Sequence, residues 1–179
     1  SAQFGNGLTA MRWSSATMDD LAVGSPLAGG IDGRIYIFEP GASGLAGTKL
    51  DTSAEVTINA AGGWFAFGAI GYTLTTARFD GDANDDLIIG AVAANGFLGG
   101  AAVIYGGTIT GNVVDLDDTD FTGLAGAAVS IINNPNPAAT DLFANYVHNV
   151  GKTGGASDLT DDLLIGYSDD VASASTTNN

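Results

Sequence analysis

The chain has 179 residues, with 20 acidic side chains against 5 basic ones, a net charge of −15, 27 glycines and no cysteine. Such a balance repels nucleic-acid phosphate and anionic lipid and favours cations or basic surfaces, while the missing thiols exclude disulfide frameworks, thiolate catalysis and Cys-ligated zinc. Only Glu39 and Glu55 among the acids are glutamate, so the charge sits in turn-forming Asp, and no apolar run is long enough to span a bilayer.

Taken in order, residues 1–179 read as one domain of three units, spanning about 1–59, 60–120 and 121–171, followed by a polar tail at 172–179. In the first unit, Leu21-Ala22-Val23 is short, apolar and bounded by Gly24, which predicts a strand buried on both faces. Gly29 to Gly33 predicts a hairpin turn, Arg34 to Phe38 the next strand, and the alternation of Glu55-Val56-Thr57-Ile58 an outer strand. In the second unit, Trp64, Phe65 and Phe67 among glycines read as close packing between layers. Ala101 to Tyr105 and Asn112 to Leu116 are predicted as its third and fourth strands, and Asp115, Asp117, Asp118 and Asp120 as a solvated turn. In the third unit, Phe121 to Ile132 is matched to an opening strand. Asn133-Asn134-Pro135-Asn136-Pro137 breaks it, and an insertion to about Ser157 reads as a surface loop holding His148, the sole histidine. The start at Ser1, without Met, reads as a processed or excerpted chain.

The most informative stretch is Leu74 to Gly90, which sets Asp80, Asp82, Asn84 and Asp86 on alternate residues and runs into Leu87-Ile88-Ile89-Gly90. Alternate oxygens in a tight loop suit a hard cation such as Ca²⁺, although an EF-hand would need a Gly, a Glu and flanking helices that this stretch lacks. The plain reading is an acidic turn between strands. Leu8 to Gly24 lies over Leu74 to Gly90 without a gap, placing Arg12 on Arg78, Trp13 on Phe79 and Asp19-Asp20-Leu21 on Asp85-Asp86-Leu87. A third copy of this Asp-Asp-Leu box stands at Asp161-Asp162-Leu163, so the chain is a repeat protein.

With Phe4-Gly5 upstream, Gly24-Ser25-Pro26 and Gly90-Ala91 after the strands, and Gly33-Arg34-Ile35-Tyr36-Ile37-Phe38 downstream, the chain resembles the FG-GAP repeats of integrin α-subunit propellers and their bacterial relatives. The resemblance implies an all-β fold of β-propeller blades, four antiparallel strands each, in an incomplete ring. It also implies calcium in the loop of the second repeat, held by Asp80, Asp82, Asn84 and Asp86, with a thinner set, Asp158 and Asp162, in the third. Arg78 occupies the family's first ligand position, weakening that site, and Arg12 with Ser14 and Ala16 leaves the first loop metal-free. The recurring Arg is expected to pair with its Asp-Asp box.

Neither a catalytic triad nor a glycosidase carboxylate pair is visible, the two glutamates being far apart in the chain. The expected function is therefore a non-catalytic, calcium-associated adhesion-type module. It would bind protein outside the cytoplasm, at a cell surface or in a periplasm, its ring completed by a protein partner or further copies. The alternatives are a structural subunit of a larger extracellular or membrane-associated complex, and an accessory module of a hydrolase.

Overall fold

The Gly-bounded apolar triplets form the central strands of the protein. The structure, a computed structural model, describes residues 2–13, 17–60, 62–109, 111–116, 123–124, 129–135, 142–154 and 159–166. Among them the chain is all-β, with three short helical turns at Asp51–Ser53, Gly63–Phe65 and Ala94–Phe97. Among the described residues no helix is long and apolar enough to cross a membrane.

The first sheet runs β1 (Leu8–Met11), β2 (Asp20–Ser25), β3 (Arg34–Phe38) and β4 (Val56–Ala60) as antiparallel neighbours. The second repeats that order with β5 (Thr73–Ala77), β6 (Asp86–Ala91) and β7 (Gly100–Ile104). β8 (Val113–Leu116) does not close the second sheet as the sequence suggests. It adds to the first, parallel to β4, with Thr57 opposite Val113 and Ala60 opposite Leu116. β4 is consequently an interior strand and not an outer one. Val114 and Leu116 are fully buried in the first sheet's core, and Asn59 Nδ2 donates to Asp115 Oδ1 at 2.8 Å, so burial and a polar clamp fix β8 there. Of the acidic cluster near 115–120, residues 117, 118 and 120 lie outside the described residues.

The fourth place in the second sheet is taken by β9 (Val129–Asn133), antiparallel to β7, although its residues were matched to the opening of the third unit. That opening role belongs to β10 (Tyr146–Gly151), which pairs with β11 (Asp162–Gly166) in a two-stranded sheet. The segment read as a surface loop thus contains a strand, and His148 stands exposed on it. Its pattern escapes notice because Tyr-Val-His-Asn-Val alternates with only one side, Val147, reaching the core. No sheet closes on itself among the described residues.

The sheets stack in series, β5 touching β1 on one side and β10 on the other. Strand alternation divides the work. Leu87 and Ile89 of β6 pack into a core shared with Ala22, Ile35 and Ile37 of the first sheet, while Ile88 between them packs toward Val147 of β10. Trp64 and Phe65 serve as packing, as the sequence implies: Phe65 is buried in that first core and Trp64 Nε1 donates to Asn133 Oδ1. Backbones meet at the junctions, where a Cβ on Gly24 would overlap the Gly71 carbonyl and one on Gly90 would overlap the Ala144 carbonyl. Gly71 itself has φ +82°, open to glycine at little cost.

Gly24→Ala is therefore expected to destabilise the protein by about 1–3 kcal/mol, because the added methyl must push two backbones apart. Urea denaturation of the purified variant measures this; an unchanged midpoint would show that the junction yields freely.

Candidate functional site

The repeated box lies at the turn between the first two strands of each sheet, and its two aspartates have separate tasks. The second serves its own loop. Asp20 Oδ2 accepts the Trp13 N–H at 3.2 Å, Asp86 Oδ2 the Phe79 N–H at 2.7 Å, and Asp162 Oδ2 the Thr153 N–H at 2.8 Å. Asp86 also accepts the Gly106 N–H on Oδ1 at 2.9 Å, tying the loop to the end of β7. Short carboxylates suit this task because they reach backbone N–H groups a few residues away without a long flexible stem.

The first aspartate of the box reaches the preceding repeat. Asp85 Oδ2 accepts the Arg12 N–H at 2.8 Å while the Asp85 N–H donates to the Arg12 carbonyl at 3.1 Å. The same reciprocal clasp recurs one repeat later, where Asp161 Oδ2 accepts the Arg78 N–H at 3.0 Å and the Asp161 N–H donates to the Arg78 carbonyl at 3.0 Å. The expected pairing of the recurring Arg with its own box is present as well. Arg78 Nε lies 2.9 Å from Asp85 Oδ1, and Arg12 Nε lies 3.8 Å from Asp19 Oδ1. The second of these is exposed on both sides and contributes little.

These bonds reveal an equivalence the sequence reading missed. Phe79 and Thr153 donate to the same box position, so Lys152 stands in the third repeat where Arg12 and Arg78 stand in the first two. Three of the 5 basic residues thus occupy one repeated position. The longer loop between Lys152 and its box conceals this in a gapless alignment.

The proposed cation ligands are differently disposed from a metal site. Asp80 Oδ1 accepts the Asp82 N–H at 3.1 Å, and both Asp82 oxygens accept from Asn84, one from its N–H and one from its side-chain amide, each at 2.8 Å. Asn84 therefore turns its amide nitrogen, and not its oxygen, toward Asp82. Asp86 is fully buried with both oxygens on backbone donors. Asp80 and Asp82 line a cleft of about 570 Å³ together with Arg78 and Lys152, two cationic side chains. Among the described residues no three acidic or imidazole groups converge as a cation site would need. Ca²⁺ requires six or more inward oxygens, and the arrangement does not fit it. Asp158 of the third loop lies outside the described residues, and Asp162 is spent on Thr153, whose hydroxyl also donates to it. Those bonds hold the exposed Asp162 carboxyl below its ordinary range.

A second cleft, of about 470 Å³, is lined by Trp13, Glu39, Glu55, Val56 and Asn112 among others. Folding thus brings together the two glutamates that sequence left apart. The Glu39 N–H donates to Glu55 Oε2 at 3.0 Å, and burial first, then the Asp20 and Glu55 charges, push the Glu39 carboxyl up. One carboxylate is thereby engaged in positioning the backbone of the other.

Compared with known proteins, the chain matches no protein-family model, and no curated protein is similar to it.

Asp86→Ala leaves the Phe79 and Gly106 N–H groups buried and unpaired and is expected to cost about 1–3 kcal/mol in urea denaturation. Burial, outweighing the two N–H bonds, raises the Asp86 carboxyl above 3.8. A folded value above the unfolded one means stability that is full below 3.8 and is lost as pH rises through the folded value. The gap between wild type and variant should then widen on acidification toward 3.8. A narrowing gap would mean that the N–H bonds, which favour the carboxylate, outweigh burial.

Proposed function

We propose that the chain is a non-catalytic interaction module, an arc of β-propeller type that binds protein outside the cytoplasm. The observation that carries this reading is the repeated junction. Three sheets follow one another with the same clasp and the same alternation of buried faces, which is how blades succeed each other around a propeller. The FG-GAP resemblance supports the setting outside the cytoplasm and the adhesion-type role. Catalysis has no support in the geometry, since the paired glutamates bind each other's backbone or side chain and no base stands beside a nucleophile in the described clefts.

In this reading the loops hold themselves. Asp-to-backbone bonds and the Arg78–Asp85 pair stabilise what calcium would stabilise in the family that the chain resembles. A structural subunit of a larger complex is the second reading, favoured by Tyr146, Leu159 and Leu164, which stand exposed on or beside the third sheet.

Thermal unfolding with excess Ca²⁺ and with chelator is expected to give one midpoint, because a ligand that binds only the native state raises it and none is bound. A rise with Ca²⁺ that disappears in Asp82→Ala would restore the calcium-associated module. Hydrolysis of model ester, glycoside and peptide substrates should stay at background; turnover that falls in Glu39→Gln would overturn the non-catalytic reading.

A further inference from the structure

Each internal junction joins a trailing surface of one repeat to a leading surface of the next. On the trailing side stand the basic residue's backbone, Arg12 or Arg78, and the middle residue of the box strand, Ala22 or Ile88. On the leading side stand the first box aspartate, Asp85 or Asp161, and an apolar residue of the opening strand, Leu74 or Val147. Both internal junctions are closed: Leu74 is 8% exposed and Ile88 is 0%.

The same two surfaces recur unmated at opposite ends of the series. At the leading end, Leu8, the counterpart of Leu74, is 57% exposed, and the Asp19 side chain is 62% exposed and meets no backbone N–H among the described residues. Phe4, 5.6 Å from the Tyr36 ring, and Leu50 are exposed on the same face. At the trailing end, Leu164, the counterpart of Ile88, is 58% exposed beside Tyr146. There Lys152 keeps its backbone N–H and carbonyl unclasped among the described residues. The leading end offers a carboxylate and an apolar surface; the trailing end offers a cation, a vacant N–H and carbonyl pair, and an apolar surface. Their chemistry is complementary, and it matches what the chain already does twice within itself.

We infer that a second copy of this chain docks head to tail, with Asp19 of one copy clasping Lys152 of the other and Leu8 covering Leu164. This rests on the interaction-module reading and names its partner and contact. A contact between two different faces is heterologous and repeats until a ring closes or a filament grows.

Light scattering across a concentration series tests it. The wild type is expected to show masses that are multiples of 17.9 kDa, whereas Asp19→Ala and Leu164→Asp, both at exposed positions, should each stay monomeric. Mixed in equal amounts, the two variants should form a one-to-one dimer and go no further, because each keeps one intact end. A wild type that remains monomeric up to about 1 mM would overturn the inference. In that case hydrogen-exchange protection of β5 and β10 in the same sample would leave the module reading standing. Multimers indifferent to both substitutions, or a mixture that stays monomeric, would likewise overturn it, pointing to a contact between like faces or to another partner.

Discussion

The structure depends on a two-bond clasp, in which an aspartate accepts the backbone N–H of a residue in the previous repeat and returns its own N–H to the same residue's carbonyl. It is worth more than an ordinary surface bond because one partner is charged and the two bonds fix position and orientation together. Asp85 and Asp161 each make it, to Arg12 and Arg78. Each clasp sets the distance and tilt between successive sheets. The apolar faces between them, Leu87 and Ile89 on one side and Ile88 on the other, can then interdigitate.

This constraint explains the composition. A chain of net charge −15 would be expected to repel itself. Much of that charge is absorbed locally instead: Asp20, Asp86 and Asp162 hold loop N–H groups, Asp85 and Asp161 hold the next junction, and Asp32 accepts the Phe67 N–H across to the second repeat. The scarcity of glutamate follows, because a longer side chain pays more rotamer entropy for the same short reach. Glycine has the complementary role of letting backbones touch where Gly24 meets Gly71.

Function follows from the same geometry. A series of sheets whose internal junctions are identical has two ends that differ only in lacking a neighbour, so binding surfaces arise without any dedicated loop. The loop that most resembles a cation site, Asp80 to Asp86, is satisfied by its own amides and flanked by Arg78 and Lys152. Its acidity is matched within the protein, and its place in the fold is to seat a strand.

How much of this was legible in the sequence depends on how local each cause is. The box strands, the Gly29 to Gly33 turn, the all-β class, the first two repeats and the pairing of Arg78 with its box follow from side chains adjacent in the chain, where period and turn chemistry act. The assignment of β8 to the first sheet and β9 to the second could not be read this way. An apolar strand such as Val113–Leu116 pairs equally well on either edge, and only the burial of Val114 and Leu116 against a core assembled from both sheets chooses. His148 was placed in a loop because β10 buries little, and Glu39 and Glu55 were held apart because their meeting depends on the β3–β4 pairing. The sequence alone therefore determined the repeat, its strands and the residues of its turns, each set by local spacing. Only the tertiary structure decided which carboxylates hold neighbouring repeats, which hold their own loops and which stay unmated, because a hydrogen bond between repeats exists only once the sheets have stacked.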